Sequence, residues 1–135
     1  VKNYPFNSWK VLTAATLLFI LSQFAIADVY VIANTGGISD ADLRDIFLGE
    51  KQFSGALKLI PIDNSAAQEE FLSKVIKVDV TKYNATWTKK SFRDGATPPA
   101  VKSNDLEVIS YVKSTPGAVA YVNSEPKGVV LIKKF

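Results

Sequence analysis

Apolar and polar positions alternate along the chain in short blocks, and each block has the period of either a strand or a helix. Val29, Tyr30, Val31, Ile32 and Ala33 form a β-branched run that ends at Asn34-Thr35-Gly36-Gly37, which predicts a strand passing into a turn. Ser39 then stands where a helix cap is wanted, with Asp40 and Asp42 suited to the positive end of the helix dipole. Leu43, Ile46 and Phe47 follow at helical spacing as its buried stripe, and Gly49 is placed to terminate it. Residues 53–55 predict a turn and 57–62 a second strand with Lys58 facing outward.

Asn64 or Ser65 is expected to cap the next helix, whose apolar positions are Phe71, Leu72, Val75 and Ile76. The spacing of Ser65 and Gln68 fits a reciprocal capping box. Tyr83 and Trp87, four apart, predict a third helix that ends before Phe92, followed by an extended connector through Pro98 and Pro99. A fourth helix is expected from Asn104, with Glu107 in the box position and Leu106, Ile109 and Val112 buried. Pro116-Gly117 reads as a turn, and 118–122 and 129–132 read as strands. Short, non-alternating strands interleaved with helices imply an α/β fold, a central sheet flanked by helices.

The first 27 residues are organised differently. Lys2 and Lys10 precede an uncharged apolar run over 11–21, and Ala25-Ile26-Ala27 stands just ahead of Asp28. A basic start, a short apolar stretch and small residues at the last and third-last positions are the parts of a secretory signal peptide. Cleavage after Ala27 is expected, leaving 28–135 as an exported domain without a membrane span. A retained anchor or a core helix is the alternative, but the run is shorter than the roughly 20 residues that cross a bilayer. Val1 reads either as an alternative start codon or as the edge of a longer chain.

Composition narrows the chemistry. The 135 residues include no Cys and no His, which removes disulfides, thiol nucleophiles, His-dependent triads and thiolate or imidazole metal sites. No cofactor is expected, and a metal would need an all-carboxylate site. The net charge of +3 falls to +1 over 28–135, where 14 basic side chains face 13 acidic ones. That balance offers no footprint for nucleic acid.

Several segments together resemble a known family. Leu43-Arg44-Asp45-Ile46-Phe47-Leu48-Gly49 is followed by Gly55, the Leu59–Ile62 strand, Ser65 and Phe71. Trp87, Phe92-Arg93-Asp94-Gly95, Pro98-Pro99 and Pro116-Gly117-Ala118-Val119-Ala120-Tyr121-Val122 come after. Over nearly all of 28–135 the chain resembles the substrate-binding proteins of phosphate ABC transporters, in a short form with one lobe of the type II periplasmic-binding-protein fold. The resemblance implies a non-catalytic module for phosphate or a similar oxyanion, with an ABC permease, another periplasmic protein or a second copy as partner. It also implies an anion site at a Ser-Gly-Thr motif on a helix N-terminus, where amides and hydroxyls face the ligand. The matching positions here are Ser65, Ala66 and Ala67, and the family's nearby Arg is replaced by Pro61.

Ser65 is therefore either an anion ligand or an ordinary cap. Thr35, Gly36 and Gly37 are either a nest of amides for an anion or only a tight turn. Lys89, Lys90 and Arg93 read as a solvated helix end that is also able to supply a cation to a ligand. Tyr83 and Trp87 read as core, and the acidic pairs Glu69-Glu70 and Asp40/Asp42 as first-turn residues without catalysis. A lobe that has lost ligand capture and serves as a periplasmic interaction module is the competing function.

Overall fold

The structure is a computed structural model that describes residues 27–135. The expected signal peptide lies, but for Ala27, outside the described residues. The strands are β1 (Tyr30–Ala33), β2 (Phe53–Ser54), β3 (Leu57–Lys58), β4 (Ile60–Asn64), β5 (Ala100–Lys102), β6 (Ala118–Val122) and β7 (Val130–Lys134). Between them run α1 (Leu43–Phe47), entered through a 3₁₀ turn at Asp40–Asp42, and α2 (Gln68–Phe71), prolonged by a π-helical turn over Leu72–Ile76. The helices α3 (Val80–Asp94) and α4 (Asp105–Ser114) complete the set.

The main sheet has the order β5-β4-β6-β1-β7. β4 is parallel to both β5 and β6, whereas β1 is antiparallel to β6 and β7. It is a mixed α/β sheet with helices on both faces, as the interleaved pattern predicts. All five residues of β6 are buried, because this strand is central and covered on each side. Val31, Ala33, Val119 and Tyr121 face α1, α2 and α3. The intervening Ile32, Ala118, Ala120 and Val122 pack with Ile62 against Val108 and Val112 of α4. The two-residue period of the strands thus sorts the core into two layers.

Four expectations are corrected. The strand predicted over 57–62 is two strands, because its hydrogen-bond partner changes at Leu59. The Leu59 amide donates to Gln52 O (2.9 Å), while the Ile60 amide donates to Gly117 O (2.8 Å). Thus β3 pairs with β2, making the expected 53–55 turn part of a hairpin, and β4 joins the main sheet. Gly117 is required at this junction: its φ is +83°, and a Cβ there would lie 2.0 Å from Lys58 O.

The third helix does not stop before Phe92 but continues to Asp94, where left-handed Gly95 closes it through amide bonds from Gly95 and Ala96 to Ser91 O and Lys90 O. The Pro98-Pro99 connector feeds β5, an edge strand too short to show in the pattern. The fourth helix is capped as expected, with Asn104 Oδ1 accepting from the Glu107 amide (3.0 Å). Its buried face, however, is set by Val108 and Val112, and Leu106 is 81% exposed. Leu106 falls in the first turn on the side turned away from the sheet, whereas Val112 is buried and Ile109 packs partly buried against the core, as expected.

Candidate ligand-binding site

The segment singled out by the resemblance, Ser65-Ala66-Ala67, lies at the carboxyl end of β4, the edge where parallel α/β sheets hold ligands. Its amides are already engaged. Ser65 N–H donates to Lys102 O (2.9 Å), Ala67 N–H to Asn64 O (3.0 Å) and Ala66 N–H to the side-chain Oδ1 of Asn64 (3.1 Å). Asn64 is fully buried, and its Nδ2 donates to Asp105 Oδ1 (2.8 Å) and Tyr121 O (3.1 Å).

Asp105 in turn accepts from the amides of Asn123 and Ser124 and from Ser124 Oγ (2.8 Å), while Asn123 Nδ2 donates to Ala66 O (2.9 Å). These bonds tie the carboxyl ends of β4 and β6 to the start of α4. Ser65 does not cap α2: the cap position is Ala67, no side chain caps it, and the Ser65 hydroxyl donates to Ser103 O (3.2 Å). The expected capping box with Gln68 is therefore not formed. Asn64 displaces it, because a buried Asx side chain reaches the amide two residues on.

Thr35 and Gly36 are not brought to this edge. β1 runs antiparallel to β6, so its carboxyl end sits beside Ala118 and Val119, at the opposite end of the sheet from Asn64. Here Asn34 Nδ2 donates to Val112 O (2.8 Å) and Lys113 O (3.2 Å), closing the end of α4. Thr35 Oγ1 is buried without a hydrogen-bond partner among the described residues. The two candidate anion-binding segments thus cannot contact one ligand together.

Behind the Ser65 loop lies a buried group absent from the candidate set. The carboxylate of Asp63, 2% exposed, accepts from Tyr83 and Tyr121 hydroxyls, both at 2.9 Å. Burial pushes its pKa up to about 6 although both hydroxyl bonds pull it down. Burial and the nearby carboxylate push both tyrosines far above the usual phenol range. Tyr121 stacks on Phe71 (centroids 3.8 Å apart), and Phe47 meets Phe71 edge-on (4.6 Å). Asp63 is the polar anchor of this aromatic core. The signal for it was a carboxylate inside the otherwise apolar 60–63 run, two strand positions beyond Pro61.

A cavity of about 360 Å³ opens between the β2–β3 hairpin, α1 and α3. Pro61, where the resemblance would place an arginine, lines it together with Ile46, Leu59 and Trp87. The Trp87 indole is held by its N–H bond to Phe47 O (3.1 Å) and lies against Gly49, where a Cβ would come within 2.7 Å of the ring. Tyr83 and Trp87 are core residues, as the spacing predicts.

Lys51, Lys58 and Lys90 reach the same cavity. Lys90 corrects the expectation of a solvated helix end: it is 8% exposed and pairs with Glu50 at 2.6 Å, holding that carboxyl below the usual range. Lys51 pairs with Asp42 (2.7 Å), and Arg93 with Asp94 (2.8 Å). Among the described residues Lys58 joins no ion pair.

Among the described residues no helix is long and apolar enough to cross a membrane, and no acidic cluster converges as a metal site would. No protein-family model matches the chain, and no match was found among curated proteins.

Proposed function

We propose that the chain is an exported, non-catalytic solute-binding module, one lobe of the type II periplasmic-binding-protein kind, that holds phosphate or a similar small oxyanion. The observation that supports this reading is the cavity beside Pro61. Where the resemblance expects one arginine from β4, Lys58 reaches the cavity from β3 without an ion-pair partner among the described residues, beside Lys51 and Lys90, which are paired with Asp42 and Glu50. A volume of about 360 Å³ falls in the range of small-molecule sites. Export follows from the expected cleavage after Ala27, into the periplasm or the medium. An ABC permease, another periplasmic protein or a second copy would cover the open side of a single lobe.

The test has two parts. Mass determination of the protein exported by a bacterial host should give Asp28 as its first residue. Calorimetric titration of that protein with phosphate and with sulfate should show saturable one-site heat for at least one of them.

A second reading, the interaction module without ligand capture, is favoured by the Ser65–Ala67 loop, whose three amides are all taken within the protein. Glu69 and Glu70 in the first turn of α2 add negative charge beside it, which opposes an anion there. Under this reading no heat accompanies either anion at about millimolar concentration, the weak end of specific binding.

A further inference from the structure

Among the described residues, the charges around the cavity beside Pro61 are matched pair by pair, with one exception. Lys51 is neutralised by Asp42, Lys90 by Glu50 and Asp94 by Arg93. Lys58 lines the cavity, is exposed, and has no carboxylate partner among the described residues. One cation therefore remains for a ligand.

The same lining holds Trp87, Ile46 and Leu59, each almost wholly buried and presenting only an edge, and the half-buried ring of Pro61. A bare tetrahedral oxyanion satisfies the lysine but occupies only a fraction of about 360 Å³ and leaves the edge of that lining uncovered. A flat apolar body carrying one anionic group satisfies both halves. Its body packs on the apolar edges at the cavity and on Pro61, and its head forms a charge-assisted hydrogen bond with the ammonium.

We infer that this cavity binds a small organic anion, a flat hydrocarbon body bearing a single phosphate or carboxylate head, with Lys58 holding the head and Trp87 the body. The inference rests on the solute-binding reading above and names its ligand class. It also places the ligand away from the Ser65 loop, whose amides are occupied.

The test uses the full chain with Trp9→Phe, so that Trp87 is the remaining indole of the two in the sequence. Phenyl phosphate, benzoate, inorganic phosphate and uncharged phenol are titrated while tryptophan emission is followed, with calorimetry in parallel. The expected result is a saturable change in Trp87 emission with phenyl phosphate or benzoate, at least about tenfold tighter than with phosphate or phenol. Whichever of the two binds identifies the head group. Lys58→Gln should weaken that binding about ten- to hundredfold, as loss of a charge-assisted bond implies. Lys127→Gln, on the β6–β7 connection and outside the cavity lining, should leave it unchanged.

Phosphate heat that is insensitive to Lys58→Gln and silent in Trp87 emission would overturn this inference while keeping the solute-binding reading. Phosphate binding as tightly as phenyl phosphate, or phenol binding as tightly as either organic anion, would overturn the assigned ligand class. No binding of any probe by either method would overturn both readings.

Discussion

The hydroxyl of Tyr121 donates to the carboxylate of Asp63 at 2.9 Å, joining the side chains of two parallel neighbours, β6 and β4, inside the aromatic layer. The register that sets Pro61 opposite Val119 continues to bring Asp63 beside Tyr121, and α3 supplies Tyr83 from above. One carboxylate thus fixes three elements, at the cost of removing it from water.

That cost gives stability a defined dependence on pH. The native pKa of Asp63 is raised from 3.8 to about 6, so the folded state holds the proton more tightly than the unfolded chain. The contribution is fully present below about pH 4 and is lost as pH rises through about 6, a difference of about 3 kcal/mol. Asp40, Glu50 and Asp94 are shifted downward by their cationic partners, so any contribution from them has the opposite sign and lies at lower pH. Urea midpoints of Asp63→Asn and the parent chain, compared from pH 4 to pH 7, should show a fall in the parent that the variant lacks. A parallel fall in both would remove Asp63 as its source.

Gly117→Ala should destabilise strongly. The left-handed backbone alone costs about 1–2 kcal/mol for a residue with a Cβ. The new Cβ would also meet Lys58 O at 2.0 Å, a backbone atom that cannot turn aside. We expect a loss above about 2 kcal/mol by denaturant unfolding. Gly36→Ala, where a Cβ meets nothing within 4 Å, is the matched control and should cost far less.

Ser65→Ala should cost no more than the one hydroxyl bond to Ser103 O, about 1 kcal/mol or less, and should leave phosphate affinity unchanged. Asn64→Ala should cost about 1–3 kcal/mol, because it strips partners from a buried cluster at three points. Weaker phosphate binding in Ser65→Ala, at unaltered stability, would return the anion to the β4 edge. Gly and Thr placed at Ala66 and Ala67 should not strengthen binding while Asn64 fills the loop.

Asn104→Ala should lower stability by about 1 kcal/mol, the ordinary cost of a lost helix cap. Asn104 Oδ1 holds the Glu107 amide, and Glu107 Oε2 reaches back to the Ser103 amide at 3.0 Å. Leu106→Gln in the same turn should be nearly neutral, since this leucine is exposed. A large loss in Leu106→Gln would mean that a partner covers that face in solution.

Local order was legible in the chain because it depends on near neighbours. The strand at β6, the buried stripe of α1, its left-handed Gly49 stop and the Asn104 cap follow from side-chain period, short polar caps and left-handed glycine, which act over a few residues. Whether Ser65 or Asn64 would take the Ala66 amide was not legible. Both side chains can serve, and the choice follows from Asp105 and Tyr121 holding the Asn64 carboxamide from distant parts of the sequence.

The sequence by itself determined an α/β alternation, the residue types open to chemistry and most element positions, since periodicity and composition are properties of the linear chain. Only the tertiary structure decided that β1 runs against β6, which sends Thr35 and Gly36 to the far end of the sheet from Ser65. Only it decided that Lys90 is buried on Glu50 and that Lys58, without an ion-pair partner among the described residues, lines one cavity with Trp87. Strand direction, burial and charge pairing depend on residues brought together across the fold, and no local pattern carries that information.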